Sequence, residues 1–159
     1  MPDRLYEAIL TAIDKSLDGD VFERCAVDLL RQHYYPSLRP VEGGNDAGMD
    51  GLGELSNGEE FFLVSTVSDD ARANLQRNIQ SYLDAGGDRR AVVFATSRPV
   101  MGRAEMRLKQ ELRTRFAVEL RRVHSRGDFV QLLYHHPQWR VDLLGVPGIA
   151  RALTRVPVT

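Results

Sequence analysis

Apolar residues recur at helical spacing through the first third of the chain. The first series predicts an amphipathic helix that ends at Asp18-Gly19, because glycine beside aspartate interrupts helices. A second helix is predicted from Asp20 to about His33, with Asp20 as its N-cap. Glu23 follows three residues later, where the carboxylate of a capping box belongs. The apolar positions of the two helices are Leu5, Ile9, Ala12, Ile13 and Leu17, and then Phe22, Cys25, Ala26, Leu29 and Leu30.

The pattern then changes from helical to extended. Tyr35–Val41 is predicted to be a short strand or an edge strand, because it holds two prolines. Met49–Leu55 and Glu60–Val67 are two further runs, and the Asn57-Gly58 pair between them is a strong hairpin signal. Phe61–Val64 is continuously apolar, which predicts a strand that is covered on both faces and central in its sheet.

Helices and strands alternate in the second half of the chain. Ser68 is predicted to cap a helix that continues to Leu83, and a further helix is centred on Leu108. Two more strands and a short helix complete the pattern. These last elements are Ala91–Ala95, Ala117–Val123 and Asp128–Tyr134. The order predicts an α/β domain with a central mixed sheet of about five strands, flanked by helices.

The chain of 159 residues, 43% of them apolar, has the size and the core content of one domain. Residues 1–136 are expected to form it. Residues 137–159, which hold three prolines and show no clear period, are expected to be a C-terminal extension or the start of a linker to further domains.

Several protein classes are excluded by composition. The single cysteine, Cys25, allows neither an internal disulfide nor a cysteine-based zinc site. No apolar run approaches the roughly 18 residues of a membrane span. The N-terminus is charged from its third residue, unlike a signal peptide. We therefore expect a cytoplasmic protein without a membrane partner.

The net charge of −1 hides a strong asymmetry. Residues 1–70 carry 15 acidic and 5 basic side chains, whereas residues 71–159 carry 7 and 16. This split suggests two surfaces with different tasks, so a net charge near zero does not argue against nucleic acid. All of the 21 basic residues except Lys15 and Lys109 are arginine, so chemistry that needs a lysine has two places to find one.

Short motifs in the acidic half are similar to those of a known nuclease family. Phe22-Glu23 lies on a predicted helix, GGNDAGMD (43–50) precedes an apolar strand, and AVVFATSR (91–98) follows the next helix. From about Val21 to Arg98 the chain resembles the Mrr-like branch of the restriction-endonuclease fold, whose motif is written PD-(D/E)xK. The segment from Asp46 to Asp50 is the most specific element. The resemblance implies a three-layer, restriction-endonuclease-like fold.

The same resemblance implies roles for individual residues. Asp50 takes the position of the family's metal-binding aspartate, and Glu23 matches a helix glutamate that often joins the site. Where the family has Glu or Gln, one residue and then Lys, this chain has Ser65-Thr66-Val67. Serine is a weak Mg²⁺ ligand, and valine can neither position water nor stabilise charge. The implied catalytic site of Asp50, Glu23 and Ser65 is therefore vestigial or relocated.

Three functional hypotheses follow. The first is a catalytically degenerate domain that acts as a DNA-binding or assembly module, attached to other domains of a larger bacterial defence protein. The second is an active Mg²⁺-dependent DNA endonuclease, with Asp50 and Glu23 as metal ligands and Arg72 or Arg77 as the charge stabiliser. The third is a protein-interaction domain without nucleic-acid contact. Mg²⁺ is the one cofactor implied, and only by the second hypothesis.

Arginines of the basic half are the candidate DNA contacts, because guanidinium groups bind phosphate through paired hydrogen bonds. The predicted contacts are Arg72, Arg77, Arg98 and Arg103. Alternatively, the arginines pair with acids of the same chain. Simpler interpretations also remain for Asp46 and Asp50 as turn residues and for Glu23 as a capping residue. His135-His136 has no third metal ligand at a suitable spacing and is assigned to a loop.

Overall fold

A five-stranded sheet lies at the centre of this computed structural model, which describes residues 3–41 and 48–148. The strands follow one another in chain order; the first two pairs are antiparallel and the last two are parallel. They are β1 (Arg39–Pro40), β2 (Gly51–Glu54), β3 (Glu60–Thr66), β4 (Ala91–Thr96) and β5 (Glu119–His124). The predicted mixed sheet of five strands is confirmed, and β2 and β3 form the predicted hairpin.

Helices cover both faces of the sheet. The helices are α1 (Arg4–Ile13), α2 (Gly19–His33), α3 (Ala71–Asp84), α4 (Gly102–Phe116), α5 (Arg126–Tyr134) and α6 (Pro137–Trp139). Phe61 and Leu63 of β3 point into a core shared with α1, α2 and α5. Phe62 and Val64 point into a second core with α3 and α4. Strand β3 is therefore covered on both faces, as its apolar run predicted.

Helix α2 begins earlier than its sequence suggested. Asp18 is its N-cap, and the Asp18 Oδ1 accepts hydrogen bonds from the N–H groups of Asp20 and Val21 at 2.9 and 3.2 Å. The predicted capping box between Asp20 and Glu23 is wrong, because Asp18 already satisfies these N–H groups. The Glu23 carboxyl is thus free to take a partner outside its own helix.

Helix α3 likewise has a different cap from the predicted one. The Asp70 side chain accepts a hydrogen bond from the Ala73 N–H at 3.1 Å. The Ser68 Oγ instead accepts the Asp70 N–H at 3.2 Å, so Ser68 shapes the turn before the helix rather than the helix itself.

Strand β1 is much shorter than the predicted run from Tyr35 to Val41. The side chains of Tyr35 and Leu38, which precede it, are buried in the core. The Ser37 Oγ accepts the N–H of Glu54 at 2.8 Å and so takes a bond that a longer strand would have made. The strand remains at the edge of the sheet, where its prolines are tolerated.

Residues 137–148 pack on the face that holds α1 and α2. Helix α6 leads into a π-helical turn, Arg140–Leu144, in which Arg140 and Leu143 are buried. The Trp139 Nε1 donates a hydrogen bond to Asp28 of α2 at 2.6 Å. Among the described residues, no helix is long and apolar enough to cross a membrane.

Candidate functional site

Asp50 and Ser65 meet where the hairpin of β2 and β3 opens. The Asp50 N–H donates to the Leu63 carbonyl at 2.7 Å, which holds Asp50 just before β2. The Asp50 Oδ2 accepts both the backbone N–H of Ser65, at 2.6 Å, and its hydroxyl, at 3.1 Å. One oxygen of the candidate metal-binding aspartate thus accepts two hydrogen bonds from the half-buried Ser65.

Glu23 of α2 completes the group from the neighbouring layer. Burial, followed by the charge of Asp50 and a hydrogen bond to it, raises the pKa of Glu23 to about 7. Burial also raises the pKa of Asp50, although the bonds from Ser65 and from Glu23 oppose that rise. Below pH 7 the Glu23 carboxyl therefore holds a proton and donates it to the Asp50 carboxylate. The structure brings together all three side chains of the implied catalytic site.

No lysine stands beside this carboxyl pair. Val67, at the lysine position of the motif, packs on the core, and its Cγ2 lies 3.8 Å from where a Cβ on Gly19 would be. Lys15 lines a groove between α1 and residues 144–146, and Lys109 lies on α4, beyond the opposite face of the sheet. Among the described residues, the exposed Arg24 is a cation whose charge lowers the pKa of Glu23.

The carboxyl pair has the oxygen ligands that a single Mg²⁺ ion accepts. Mg²⁺ binds through one or two carboxylates and keeps several waters, so Glu23 and Asp50 would hold it once the shared proton has left. Within the described residues, no three His, Cys, Asp or Glu side chains are grouped for a metal ion. Asp46, the other aspartate of the motif, lies outside the described residues.

The four predicted DNA contacts divide into two kinds. Arg72 makes a two-point ion pair with Glu111 at 2.7 and 2.8 Å, and Arg98 pairs with Asp69 at 3.4 Å. Arg77 and Arg103 are exposed and pair with no described acid. Pairing within the chain therefore accounts for Arg72 and Arg98 but leaves Arg77 and Arg103 available.

Ion pairs also hold four further arginines of the basic half. Their acidic partners come from both halves of the chain, so the charge asymmetry along the sequence is partly cancelled in space. These pairs are Arg89 with Glu60, Arg113 with Glu119, Arg121 with Glu59, and Arg126 with Asp14.

Two arginines outside the predicted set lie beside Arg72 and Gln76. Arg107 and Arg115 line a groove of about 460 Å³ between α3 and α4. Arg115 donates to the Gln76 side chain at 2.6 Å, and neither arginine has a described acid within ion-pair distance. Arg103, Arg107, Glu111 and Arg115 follow one another at a spacing of four residues, which places them along one side of α4. This spacing is the sequence signal from which the arginines could have been predicted to lie together.

Replacing Glu23 with glutamine is expected to flatten the pH dependence of stability. The Glu23 pKa is about 7 in the fold against an ordinary value of 4.5, so the folded state binds the extra proton between these values. The contribution of Glu23 to the free energy of unfolding therefore falls as pH rises through that window. A glutamine amide keeps a donor for Asp50 without a charge to desolvate, so the variant gains stability relative to the wild type above pH 7.

Urea unfolding from about pH 5 to about pH 8 measures this difference. Glu54→Gln, at an exposed position at the end of β2, is the matched control and should follow the wild type. Parallel curves for Glu23→Gln and the wild type would show that the carboxyl pair does not share a proton.

The carboxyl pair and the unpaired arginines lie on different sides of the molecule. Ser65 follows Phe61 and Leu63 on the face of β3 toward α2, whereas α3 and α4, which carry Arg77 and Arg103, cover the opposite face. A phosphate held between α3 and α4 is therefore separated from the carboxyl pair by the sheet. No family model, no curated protein and no solved structure matches this chain.

Proposed function

We propose that this chain is a restriction-endonuclease-like domain of the Mrr-like type that binds duplex DNA through α3 and α4 and does not cleave it. The fold supports the assignment, because the mixed sheet places an aspartate before β2 opposite the end of β3. Glu23 faces that aspartate from α2, as the family resemblance implies. Mrr-like membership itself rests on the motif of Asp46 to Asp50.

The observation that carries the loss of cleavage is the apolar side chain of Val67. Metal-assisted phosphodiester hydrolysis needs a ligand set, a group that positions or activates water, and a cation for the developing charge. The carboxyl pair provides at most the ligands. Arginine cannot replace the lysine as a base, because its guanidinium stays protonated.

Four arginines that have no described acid within ion-pair distance carry the proposal of DNA binding. They are exposed on α3 and α4; Arg107 and Arg115 line the groove between these helices, and Arg77 lines an adjoining cavity with Arg115. Such groups bind phosphate oxygens and displace counterions from DNA, whatever its sequence. The four are Arg77, Arg103, Arg107 and Arg115.

The wild-type protein is expected to bind a duplex oligonucleotide with a strong dependence on salt. Four phosphate contacts correspond to a slope of about −3.6 when the logarithm of the binding constant is plotted against the logarithm of the salt concentration. The affinity then falls about a hundredfold when the salt concentration rises about fourfold. The double variant Arg103→Ala/Arg107→Ala should reduce the slope to about −1.8. Fluorescence anisotropy at several salt concentrations measures both slopes.

The double variant Arg113→Ala/Arg121→Ala is the matched control. It removes the same net charge, but from guanidinium groups that Glu119 and Glu59 already hold. Equal slopes in the two double variants would argue against a specific surface on α3 and α4. No binding at low salt would leave the protein-interaction hypothesis.

Cleavage is tested on supercoiled plasmid with Mg²⁺ or Mn²⁺. The expected result is no nicking by the wild type above the level of Asp50→Asn. Nicking that disappears in Asp50→Asn would overturn the proposal and establish the alternative of an active Mg²⁺-dependent endonuclease at the carboxyl pair.

A further inference from the structure

Two histidines that are 103 residues apart meet on the surface of the fold. The Nε2 atoms of His33 and His136 lie 2.7 Å apart, and their rings are nearly perpendicular, at 84°. His33 is the last residue of α2, and His136 is the residue that precedes α6. His33 is exposed and His136 is half-buried, so solvent reaches the pair.

We propose that His33 and His136 bind one divalent transition-metal ion, such as Zn²⁺, Ni²⁺ or Cu²⁺, through their Nε2 atoms. Imidazole nitrogen is a preferred ligand of these ions. With metal–nitrogen bonds of about 2.0–2.1 Å, two adjacent ligands lie about 2.9 Å apart at a right angle and about 3.4 Å apart at the tetrahedral angle. The observed 2.7 Å is a few tenths of an ångström shorter, and rotation of the exposed His33 side chain can supply the difference.

The proton between the two rings decides how the ion enters. At 2.7 Å one Nε2–H donates to the other Nε2 lone pair, whereas coordination needs both lone pairs. The donating ring therefore transfers its proton to its own Nδ1, and no net proton is released when both rings are neutral.

The surroundings favour a cation without closing the site. Asp28 of α2 faces His136, and its negative charge acts on that ring. The Asp28 oxygens already accept hydrogen bonds from Trp139, Gln32 and Arg31. Asp28 therefore attracts a cation by its negative charge but does not serve as a metal ligand. Since no third metal-binding side chain is grouped with the pair in the described residues, water would fill the other positions. A metal ion held by two histidines and water would exchange readily with solvent. It would also link α2 to the junction of α5 and α6.

The test is calorimetric titration of the full chain, without an affinity tag, with Ni²⁺ and with Zn²⁺. The expected result is one ion per chain, an affinity lowered at least about tenfold by His33→Ala or by His136→Ala, and a rise in melting temperature with metal that both variants lose. His135→Ala is the matched control and should bind as the wild type does.

Paramagnetic broadening by Ni²⁺ provides a second measurement that does not depend on how the variants fold. Amide resonances around residues 33 and 136 should broaden first. The proposal is overturned if the wild type takes up neither ion, if His33→Ala retains full affinity, or if the broadening centres on another part of the fold.

Discussion

Replacing Gly48 with alanine is expected to destabilise the domain by about 3 kcal/mol, from left-handed backbone strain and a steric clash together. Gly48 has a φ of +73°, which L-residues with a side chain rarely adopt. A Cβ at this position would lie 2.1 Å from the Asn78 carbonyl oxygen and 2.8 Å from the Tyr82 nitrogen. Both atoms belong to the backbone of α3, so the clash is relieved only by moving the helix.

Gly58→Ala separates the two causes. Gly58 lies in the hairpin turn at a φ of +86°, and a Cβ there would meet nothing within 4 Å. This control should therefore show only the cost of the positive φ, about 1 kcal/mol. Urea unfolding of the two variants measures the difference, and equal losses would mean that Gly48 does not pack against α3 as described.

The position of Gly48 gives this result a wider meaning. It lies at the centre of the motif from Asp46 to Asp50, two residues before the aspartate that meets Ser65. Its contact with α3 anchors the segment that enters β2. Gly48 thus has a structural role that does not depend on any catalytic activity.

Replacing Arg140 with methionine is expected to cost about 3 kcal/mol, because its charge-assisted hydrogen bonds to three backbone carbonyls are lost. The Arg140 side chain is fully buried in the π-helical turn. Its guanidinium donates to the carbonyls of Leu133 and Tyr134, at 3.1 and 2.7 Å, and also to the carbonyl of Gly148. Relief of the buried charge offsets part of the loss and limits the total.

Arg140→Lys provides the comparison for this prediction. Lysine keeps the charge but has one nitrogen, so it cannot reach the three carbonyls together and should have an intermediate stability. Urea unfolding gives the order of stability, and hydrogen exchange of residues 137–148 should rise most in Arg140→Met. A variant as stable as the wild type would show that this segment is held by its apolar contacts alone.

Packing of residues 137–148 bears on how the domain ends. These residues belong to the predicted extension, yet Trp139, Arg140 and Leu143 are packed against the helices on one face of the sheet. Residues 137–148 show no helical period in the sequence, because their buried side chains lie on a short helix and a π-helical turn. A regular α-helix would instead place its buried residues three or four positions apart.

Much of the sheet was predictable because it depends on local chemistry. Asn57-Gly58 between two runs of strand-forming residues predicted the hairpin, and the turn has the positive φ at Gly58 that this pair indicates. The continuous apolar run of β3 predicted its central place. Helix ends were less predictable, since Asp18 and Asp20, like Ser68 and Asp70, are all competent caps and their spacing alone does not select one.

By itself, the sequence determined the order of the helices and strands, the central place of β3, and the absence of a lysine from residues 60–67. These features depend on periodicity, turn residues and residue type, which can be read along the chain. Only the tertiary structure decided that Glu23 faces Asp50, that Arg72 pairs with Glu111, and that His33 meets His136. These contacts join residues that lie far apart in the sequence, so they depend on how the layers pack, and local propensity does not encode that packing.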